Sequence, residues 1–415
     1  MKKKNYYYWV IVLACCLLMA SATGLLSYLN ALFIVPATEE LGVSRATFMI
    51  YSSCSTVVTM CVMPFIGSVF KKVPMKFMIM GGALLAALAH FCYSSATSVT
   101  LFYIGGAIAG LANCCMGAIP VTTLIANWFN DKRGIVTGIA FSGSSIVTSI
   151  LSPVMSNVIE TYGWRVGFRC ISIAILCVVI PTALFLIRVN PAEMGLEPYG
   201  KKKESSVEKE KVGFTKRQAF KTVSFWIFVL ITVMLGFIST PTQKQLAAYW
   251  VDEGNTAVTA AAMYSVVTGV SIFSKILLGA VYDRVSIKAG TTIIGCVAVA
   301  SFITLILFPT GQAMVIPAVL FGLTTAMQVL VATFVMNKMF GDKEYSSIYG
   351  IMTPVLYLGI TCGTPFSAKL FDIFGTYKNT WAIYAVLMVL VVVLIYICDS
   401  VSKKEFKKIL GVERK

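Results

Sequence analysis

Two ten-residue stretches of this 415-residue chain share one pattern, GAVYDRVSIK at residues 279–288 and GSVFKKVPMK at residues 67–76. Each starts with a glycine at the end of an apolar run and ends with a lysine. The later copy carries an acid and a base, Asp283 and Arg284, where the earlier copy has two lysines. The copies lie in different halves of the sequence, which predicts a chain built from two repeated halves.

The alignment that places Gly67 on Gly279 also superimposes other conspicuous positions without a gap, and we call it the repeat alignment. Glycine and proline mark places where helices touch closely or bend, so their coincidence indicates shared backbone geometry in the two halves. The matched pairs are Gly24 and Gly236, Gly67 and Gly279, Lys72 and Arg284, Lys76 and Lys288, Gly110 and Gly322, Gly138 and Gly350, Pro153 and Pro365, and Gly163 and Gly375.

The composition is that of a chain surrounded by lipid. Hydrophobic residues make up 58% of it and charged residues only 13%, too few to cover the surface of a soluble protein of this length. Segments of about 20 apolar residues, long enough to cross a bilayer, recur along the whole chain. They lie near residues 8–35, 46–70, 75–96, 99–129, 134–160, 165–188, 223–250, 257–282, 289–308, 313–337, 346–373 and 379–398.

These segments predict an all-α membrane protein with twelve transmembrane helices in two pseudo-symmetric six-helix bundles. A charged stretch interrupts the apolar pattern once, midway along the chain. The predicted division is an N-terminal bundle at 1–188, a solvated linker at 189–222, a C-terminal bundle at 223–399 and a tail at 400–415.

The basic residues indicate the orientation in the membrane. An even number of spans places both termini on one side, and most of the 34 Lys and Arg fall in the tails and loops of that side. The excess of positive charge predicts that this side is cytoplasmic. We therefore expect a multi-pass protein of the cell's inner (plasma) membrane with both termini cytoplasmic. The net charge of +16 is explained by this topology, so the expected partner is the lipid bilayer and not nucleic acid. We expect the protein to be a monomer.

Several further segments resemble known transport proteins. They are YLNALFIVPATEELGVSRA at 28–46, WFNDKRG at 128–134, GWRVGF at 163–168 and PAEMGLEPYG at 191–200, besides the stretch at 279–288. Together they are similar to the oxalate/formate antiporters and the monocarboxylate transporters, two families of the major facilitator superfamily. The resemblance implies two parallel six-helix repeats around a central binding site.

The resemblance also implies roles for the two loop motifs. A glycine for close packing and charges that hold a neighbouring helix end are expected to govern gating, not substrate choice. The residues concerned are Gly67, Lys72, Gly279, Asp283, Arg284 and Lys288.

Lys275 is the predicted anchor for the substrate. It lies eight residues before Asp283, about 12 Å along the helix at ~1.5 Å per residue, which places it near the bilayer midplane. A charge inside a membrane is costly and therefore a functional candidate. Lys275 also precedes Gly279 by four residues, where the resembling families carry a basic residue that binds the substrate carboxylate. Snorkelling toward the cytoplasm and pairing with a backbone carbonyl are the alternatives.

Two departures from the related families narrow the expected chemistry. Oxalate carriers have a second lysine on the eleventh helix, where this chain has Ile360, so one carboxylate suits the site better than two. Proton-coupled monocarboxylate carriers have an aspartate one turn before the basic residue, where this chain has Ser271. Exchange or facilitated movement is therefore favoured, while proton symport stays open because Lys275 could itself titrate.

Other polar residues in the apolar segments are weaker candidates. Lys244 lies in STPTQKQ at 239–245, which predicts a broken helix facing water, either to attract anions or simply at the membrane surface. His90, the only histidine, suits helix packing better than a proton relay. Helix packing would equally explain the pocket partners that the resemblance implies, Tyr28, Asn30, Gln328 and Tyr357.

No phosphate loop, metal-ligand cluster or nucleophile with a base occurs in the sequence, so an enzyme, a cofactor and a metal are not expected. The prediction is a secondary transporter that moves a small organic anion, most simply a monocarboxylate, by alternating access. Three alternatives stay open: a proton-coupled carrier of bulkier organic acids, a drug exporter, and a non-transporting membrane sensor.

Overall fold

The computed structural model describes residues 6–69, 72–200, 213–284, 287–325, 327, 331, 335–341 and 343–410. For residues 67, 68, 276–284, 287, 337, 345–347 and 410 it describes the backbone only.

The described chain is almost entirely helical. We label its apolar helices α1 Tyr7–Leu41, α2 Arg45–Val69, α3 Met75–Ser94, α4 Val99–Trp128, α5 Arg133–Tyr162, α6 Trp164–Leu186, α7 Val223–Asp252, α8 Ala257–Arg284, α9 Ile287–Leu307, α10 Gln312–Thr324, α11 Tyr345–Phe374 and α12 Lys378–Leu410.

Eleven of these helices are long and apolar enough, over the described residues, to cross a bilayer. The exception is α10, because the predicted span at 313–337 continues into residues outside the described set. Short helices at Lys216–Ala219 and Met336–Phe340 precede α7 and α11. The all-helical prediction is confirmed, with one difference: α12 extends to Leu410, into the stretch predicted as a tail.

The repeated halves make the same close helix contact. A Cβ added to Gly24 of α1 would lie 2.9 Å from the carbonyl oxygen of Ser144 on α5. A Cβ added to Gly236 of α7 would lie 2.3 Å from the carbonyl oxygen of Leu356 on α11. Ser144 and Leu356 are themselves matched by the repeat alignment, so the glycine match reflects one packing geometry used twice.

The equivalent helices α5 and α11 both end at a glycine with positive φ. Gly163 follows α5 with φ of +82° and ψ of 159°, and Gly375 follows α11 with φ of +68° and ψ of 5°; positive φ disfavours side chains. Pro153 and Pro365 lie inside the two helices at matched places. The repeat found in the sequence is therefore a repeat of backbone conformation.

The chain forms two compact units. Unit 1 consists of Met1–Glu204 and Gln243–Ile272, and unit 2 of Ser205–Thr242 and Phe273–Lys415. Helices α7 and α8 are thus divided, and the half of each that is adjacent to their connecting loop packs in unit 1. The sequence-based division at 188 and 223 stays a prediction about the halves.

Aromatic side chains fill the core of each unit. In unit 1 the ring of Phe102 stacks on Tyr93 at 5.1 Å, and Phe48 meets Phe102 edge-on at 4.8 Å. In unit 2 the ring of Trp381 stacks on Tyr377 at 5.6 Å. Such rings bury large apolar areas and hold the polar residues of the candidate site in a fixed frame.

Candidate substrate-binding site

Lys275 lies well inside α8. The helix begins at Ala257, about 27 Å before Lys275, and ends at Arg284, about 14 Å after it, at ~1.5 Å per residue. The side chain is partly buried in unit 2. The adjacent Ser274 is fully buried and donates its hydroxyl to the carbonyl oxygen of Leu323, which ties this part of α8 to α10. A lysine is thereby held at a defined depth in a helix long enough to span the membrane.

The two positions that depart from related carriers are buried and apolar or already bonded. Ser271 is 1% exposed; its hydroxyl lies 2.8 Å from the carbonyl oxygen of Thr268, to which it can donate, and 2.7 Å from Ser145 Oγ. Ile360 is 6% exposed and lies beside Gly236 in the close contact of α7 with α11. Neither position brings a charge next to the predicted anchor.

The helix around Lys244 differs from the prediction. We expected a broken helix facing water, but α7 is continuous through Pro241. Proline lacks the N–H that would bond the carbonyl oxygen of Phe237, and Gly363 of α11 packs against that carbonyl. Residues 242–245 are all buried. The prediction of a water-facing break was wrong because tertiary packing accommodates the proline.

Lys244 is buried in unit 1, with 9% of the residue exposed. Its ammonium group donates to the hydroxyl of Ser52 on α2. The alternative that Lys244 simply sits at the membrane surface is therefore also wrong. A lysine so enclosed is expected to have a functional partner, since burying a charge is costly.

Two further sets of polar side chains lie in unit 1. Asn30 lies beside Tyr51, and Gln243 lies beside Tyr264. The hydroxyl of Tyr264 donates to the carbonyl oxygen of Tyr28 at 3.1 Å. Asn30 also donates from Nδ2 to the carbonyl oxygen of Leu26 at 3.1 Å. Both predicted pocket residues lie in unit 1: Tyr28 contacts Tyr264 through its backbone carbonyl, and Asn30 lies beside Tyr51.

Sequence reasoning missed the residues that make these contacts. Tyr51, Ser52, Gln243 and Tyr264 drew no attention because single hydroxyl and amide groups are common in membrane helices. One signal was present: the repeat alignment places Ser52 on Tyr264, so two polar residues occupy matched positions on α2 and α8.

Two ion pairs lie at one end of unit 1, which holds the loops at 42–44 and 253–256. The charge distribution predicts this end to be outside the cell, and we call it the predicted outer end. Arg45 forms a two-point ion pair with Asp252, with Nη2 to Oδ1 at 2.6 Å. Glu40 pairs with Arg165 and accepts a hydrogen bond from Trp164 Nε1 at 2.6 Å.

Glu40 and Asp252 occupy equivalent positions, since the repeat alignment superimposes them. Each lies in the last turn of its helix, and each pairs with an arginine of unit 1. The pair at Asp252 joins α7 to α2, whereas the pair at Glu40 joins α1 to α6. The repeat alignment shows that the two acids are equivalent, but it does not show which arginine pairs with each.

A family comparison identifies the fold. The model of the family described as Major Facilitator Superfamily matches residues 12–316 and 246–414. The chain belongs to the major facilitator superfamily. Its resemblance to solved members agrees: it superimposes on the nucleoside transporter NupG with a TM-score of 0.75 at 13% identity, covering 94% of this chain and 99% of that one.

A second solved member is a bacterial homologue of the human lysosomal transporter Spinster, in its inward-facing and unoccupied conformation. The TM-score is 0.67 at 16% identity, over 99% of this chain and 98% of the other. At such identities the likeness concerns the fold alone. The superfamily member described here therefore has the major facilitator fold.

Curated relatives lie in one branch of the superfamily. Human monocarboxylate transporter 2 is 24% identical over 367 residues, which cover 81% of this chain and 73% of the relative. Rat monocarboxylate transporter 13 is 25% identical over 317 residues, covering 74% and 69%. The resemblance to monocarboxylate transporters is confirmed. The relatives and the similar structures are transporters and not enzymes, and the chain is a transporter of this superfamily.

The structure describes only the backbone of four predicted gating residues, Gly67, Gly279, Asp283 and Arg284. The side chains of Asp283 and Arg284 therefore lie outside the described set. The side chains of the two lysines predicted to act in gating, Lys72 and Lys288, are described, and their surroundings differ.

Lys72 is exposed in the turn after α2. Lys288 at the start of α9 donates to Ser400 Oγ at 3.5 Å and lies 5.5 Å from the ring centre of Tyr396 on α12. Lys288 therefore anchors two helices of unit 2 to each other.

Three remaining candidates have different outcomes. Gln328 lies outside the described residues. Tyr357 is partly buried on α11 in unit 2. His90 is fully buried on α3, with Nδ1 3.0 Å from the carbonyl oxygen of Ala86 and its ring 5.5 Å from that of Tyr93. This setting suits a packing histidine. Among the described residues no cluster of His, Cys, Asp and Glu could hold a metal ion.

Proposed function

We propose that this transporter carries a small organic anion, most simply a monocarboxylate, by alternating access, and that the carboxylate binds at Lys275. The observation that carries the proposal is a lysine inside a spanning helix of a chain whose curated relatives are monocarboxylate transporters. The stretch Ala257–Lys275 contains no other charged residue. A charge so placed is costly unless it serves binding, and an anion is the ligand that a lysine recognises.

The proposed exchange mode rests on two positions that differ from the related carriers, Ser271 and Ile360. One turn earlier, proton-coupled relatives are expected to have an aspartate, whereas Ser271 uses its hydroxyl within the helix bundle. Ile360 supplies no second cation. We therefore propose binding of one carboxylate and movement by exchange or facilitated transport. Proton coupling through a titrating Lys275 is the competing mode.

The membrane topology is part of the same proposal. The excess of Lys and Arg in the loops and tails supports cytoplasmic termini, and the proposed location is the cell's inner membrane. The predicted outer end of unit 1 then faces the exterior. A protease or a membrane-impermeant label applied from outside should leave the tail after Leu410 intact, and labelling of that tail in sealed cells would reverse the assignment.

The proposal is tested by ligand-dependent thermal stabilisation of the purified protein. Wild type, Lys275→Gln and the control Lys369→Gln are screened against pyruvate, lactate, oxalate and cholate. Lys369 is an exposed lysine on α11, so the control removes one positive charge without touching the anchor. Pyruvate or lactate should raise the melting temperature of wild type and of the control, and Lys275→Gln should lose the effect while folding normally.

Uptake of the stabilising acid into proteoliposomes, with and without the same acid inside, then separates exchange from net transport. Stabilisation by cholate alone would indicate a carrier of bulkier acids. Equal stabilisation of Lys275→Gln and wild type would refute Lys275 as the anchor. If no acid binds to wild type, the organic-anion function itself fails.

A further inference from the structure

Helix α2 and the last turns of α7 run antiparallel in unit 1 and are joined by two polar contacts. Arg45 pairs with Asp252 at the predicted outer end, and Ser52 bonds Lys244 two turns deeper. The contacts are seven residues apart on α2 and eight on α7, which is about 10–12 Å on either helix. Both contacts must break if these two helices separate at the predicted outer end.

The two contacts differ in charge. The guanidinium of Arg45 is matched by the carboxylate of Asp252. The ammonium of Lys244 meets a neutral hydroxyl, and over the described part of the chain no carboxylate lies within ion-pair distance of it. An ammonium group has three donors, of which Ser52 accepts one. The deeper contact therefore encloses a positive charge without a counter-charge.

The groups around this lysine are suited to an anion. Ser52 is 4% exposed, and its hydroxyl accepts from Lys244 and keeps its own proton to donate. A small anion beside Lys244 would meet an ammonium group and this hydroxyl with little competing water. A cation there would be repelled by the ammonium group.

We infer that Lys244 is a second anion-binding residue and that an anion held there favours the packing of α7 against α2. When the helices part, Lys244 is in water; when they pack, it is enclosed at 9% exposure. Enclosing a bare ammonium group is costly, and a bound anion offsets that cost. The ligand is a small monovalent anion, either the carboxylate of the transported acid or a halide.

This inference rests on the proposed function for its carboxylate source. It adds that the predicted outer end closes more readily when an anion is bound at Lys244 than when the site is empty. Such a carrier exchanges anions faster than it returns empty, because the empty closed form keeps an uncompensated charge. Lys275 and Lys244 then have separable roles, one in holding the substrate and one in making closure depend on an anion.

Hydrogen–deuterium exchange measured by mass spectrometry tests the inference without labels. Peptides covering residues 45–56 of α2 and 244–256 report whether the two helices are packed. Wild type, Lys244→Gln, Lys244→Arg and Lys369→Gln are compared in zwitterionic buffer of low salt, then with sodium pyruvate or sodium chloride. Thermal unfolding confirms that each variant is folded, and Lys244→Arg keeps the charge if the glutamine variant is unstable.

In wild type, Lys244→Arg and Lys369→Gln, an anion at about ten times its dissociation constant should slow exchange in both peptides about tenfold. Lys244→Gln should exchange slowly from the start and show no response, because a neutral amide can be buried opposite Ser52. A response to pyruvate but not chloride assigns the site to the substrate carboxylate, and a response to chloride supports a halide site.

Two results would overturn the inference. One is an anion response of Lys244→Gln equal to that of wild type. The other is no response of wild-type peptides to either anion while pyruvate still stabilises the protein through Lys275. The second result leaves the proposed function intact, so the two proposals fail separately. Loss of pyruvate binding in wild type, with chloride still protecting both peptides, removes the proposed function and keeps the anion site.

Discussion

Removing the carboxylate of Asp252 tests how the predicted outer end of unit 1 is held together. The side chains of Arg45 and Asp252 are 9% and 16% exposed, so water screens the pair little. Removing one partner of a buried pair costs about 3–5 kcal/mol, because the other charge stays buried without compensation. For a unit of this size about 2 °C is lost per kcal/mol, which gives a fall in melting temperature of about 6–10 °C.

The assay is thermal unfolding of the purified protein followed by intrinsic tryptophan fluorescence. It compares wild type, Asp252→Asn, Arg45→Met and the double variant Arg45→Met/Asp252→Leu. Each single variant should melt well below wild type. The double variant should return to within about 1.5 kcal/mol of wild type, since apolar residues of similar size replace a buried pair at little cost.

Glu40→Gln is the matched control, because Glu40 is equivalent to Asp252 in the repeat. Its pair with Arg165 is far more exposed, at 51% for Glu40 and 32% for Arg165. An exposed pair contributes about 0–1 kcal/mol, so the control should shift the melting temperature by less than about 2 °C. Equal shifts for Glu40→Gln and Asp252→Asn would refute the reasoning, as would a double variant as unstable as the sum of the singles.

Two further predictions concern packing. Gly236→Ala places a Cβ 2.3 Å from the backbone oxygen of Leu356, so α7 and α11 must move apart at a cost of about 1–3 kcal/mol. The control Gly138→Ala has open space around the added Cβ and should be neutral or slightly stabilising. Equal melting temperatures of the two variants would contradict the close contact. His90→Leu should leave both stability and the pH dependence of transport essentially unchanged, measured by thermal unfolding and by uptake across a pH series, whereas a shifted pH profile in a folded variant would indicate a proton-relay role.

The candidate site could be predicted from the sequence only where a residue type was itself unusual for its place. Lys275 stands out because it is the sole charge in a long apolar stretch. Lys244 also stood out, but its setting was misjudged, since the proline and polar residues around it suggested exposure to water. The structure buries them because Gly363 covers the carbonyl freed by Pro241.

The polar partner of Lys244 could not be predicted, for a different reason. Ser52 lies in the other half of the sequence from Lys244, and nothing in its own sequence neighbourhood marks it. Hydroxyl and amide groups acquire a role only when another helix brings a charge beside them. That pairing is a long-range property of the packed helices.

The sequence by itself determined the helical class and the internal repeat, and it predicted the number of spans and the orientation. Apolar segment length and the bias of basic residues are local properties, and the bilayer imposes them on each segment separately. Only the tertiary structure decided which charges are paired. Arg45 has a carboxylate and Lys244 a neutral hydroxyl, because the register of α7 against α2 brings Asp252 to the one and Ser52 to the other.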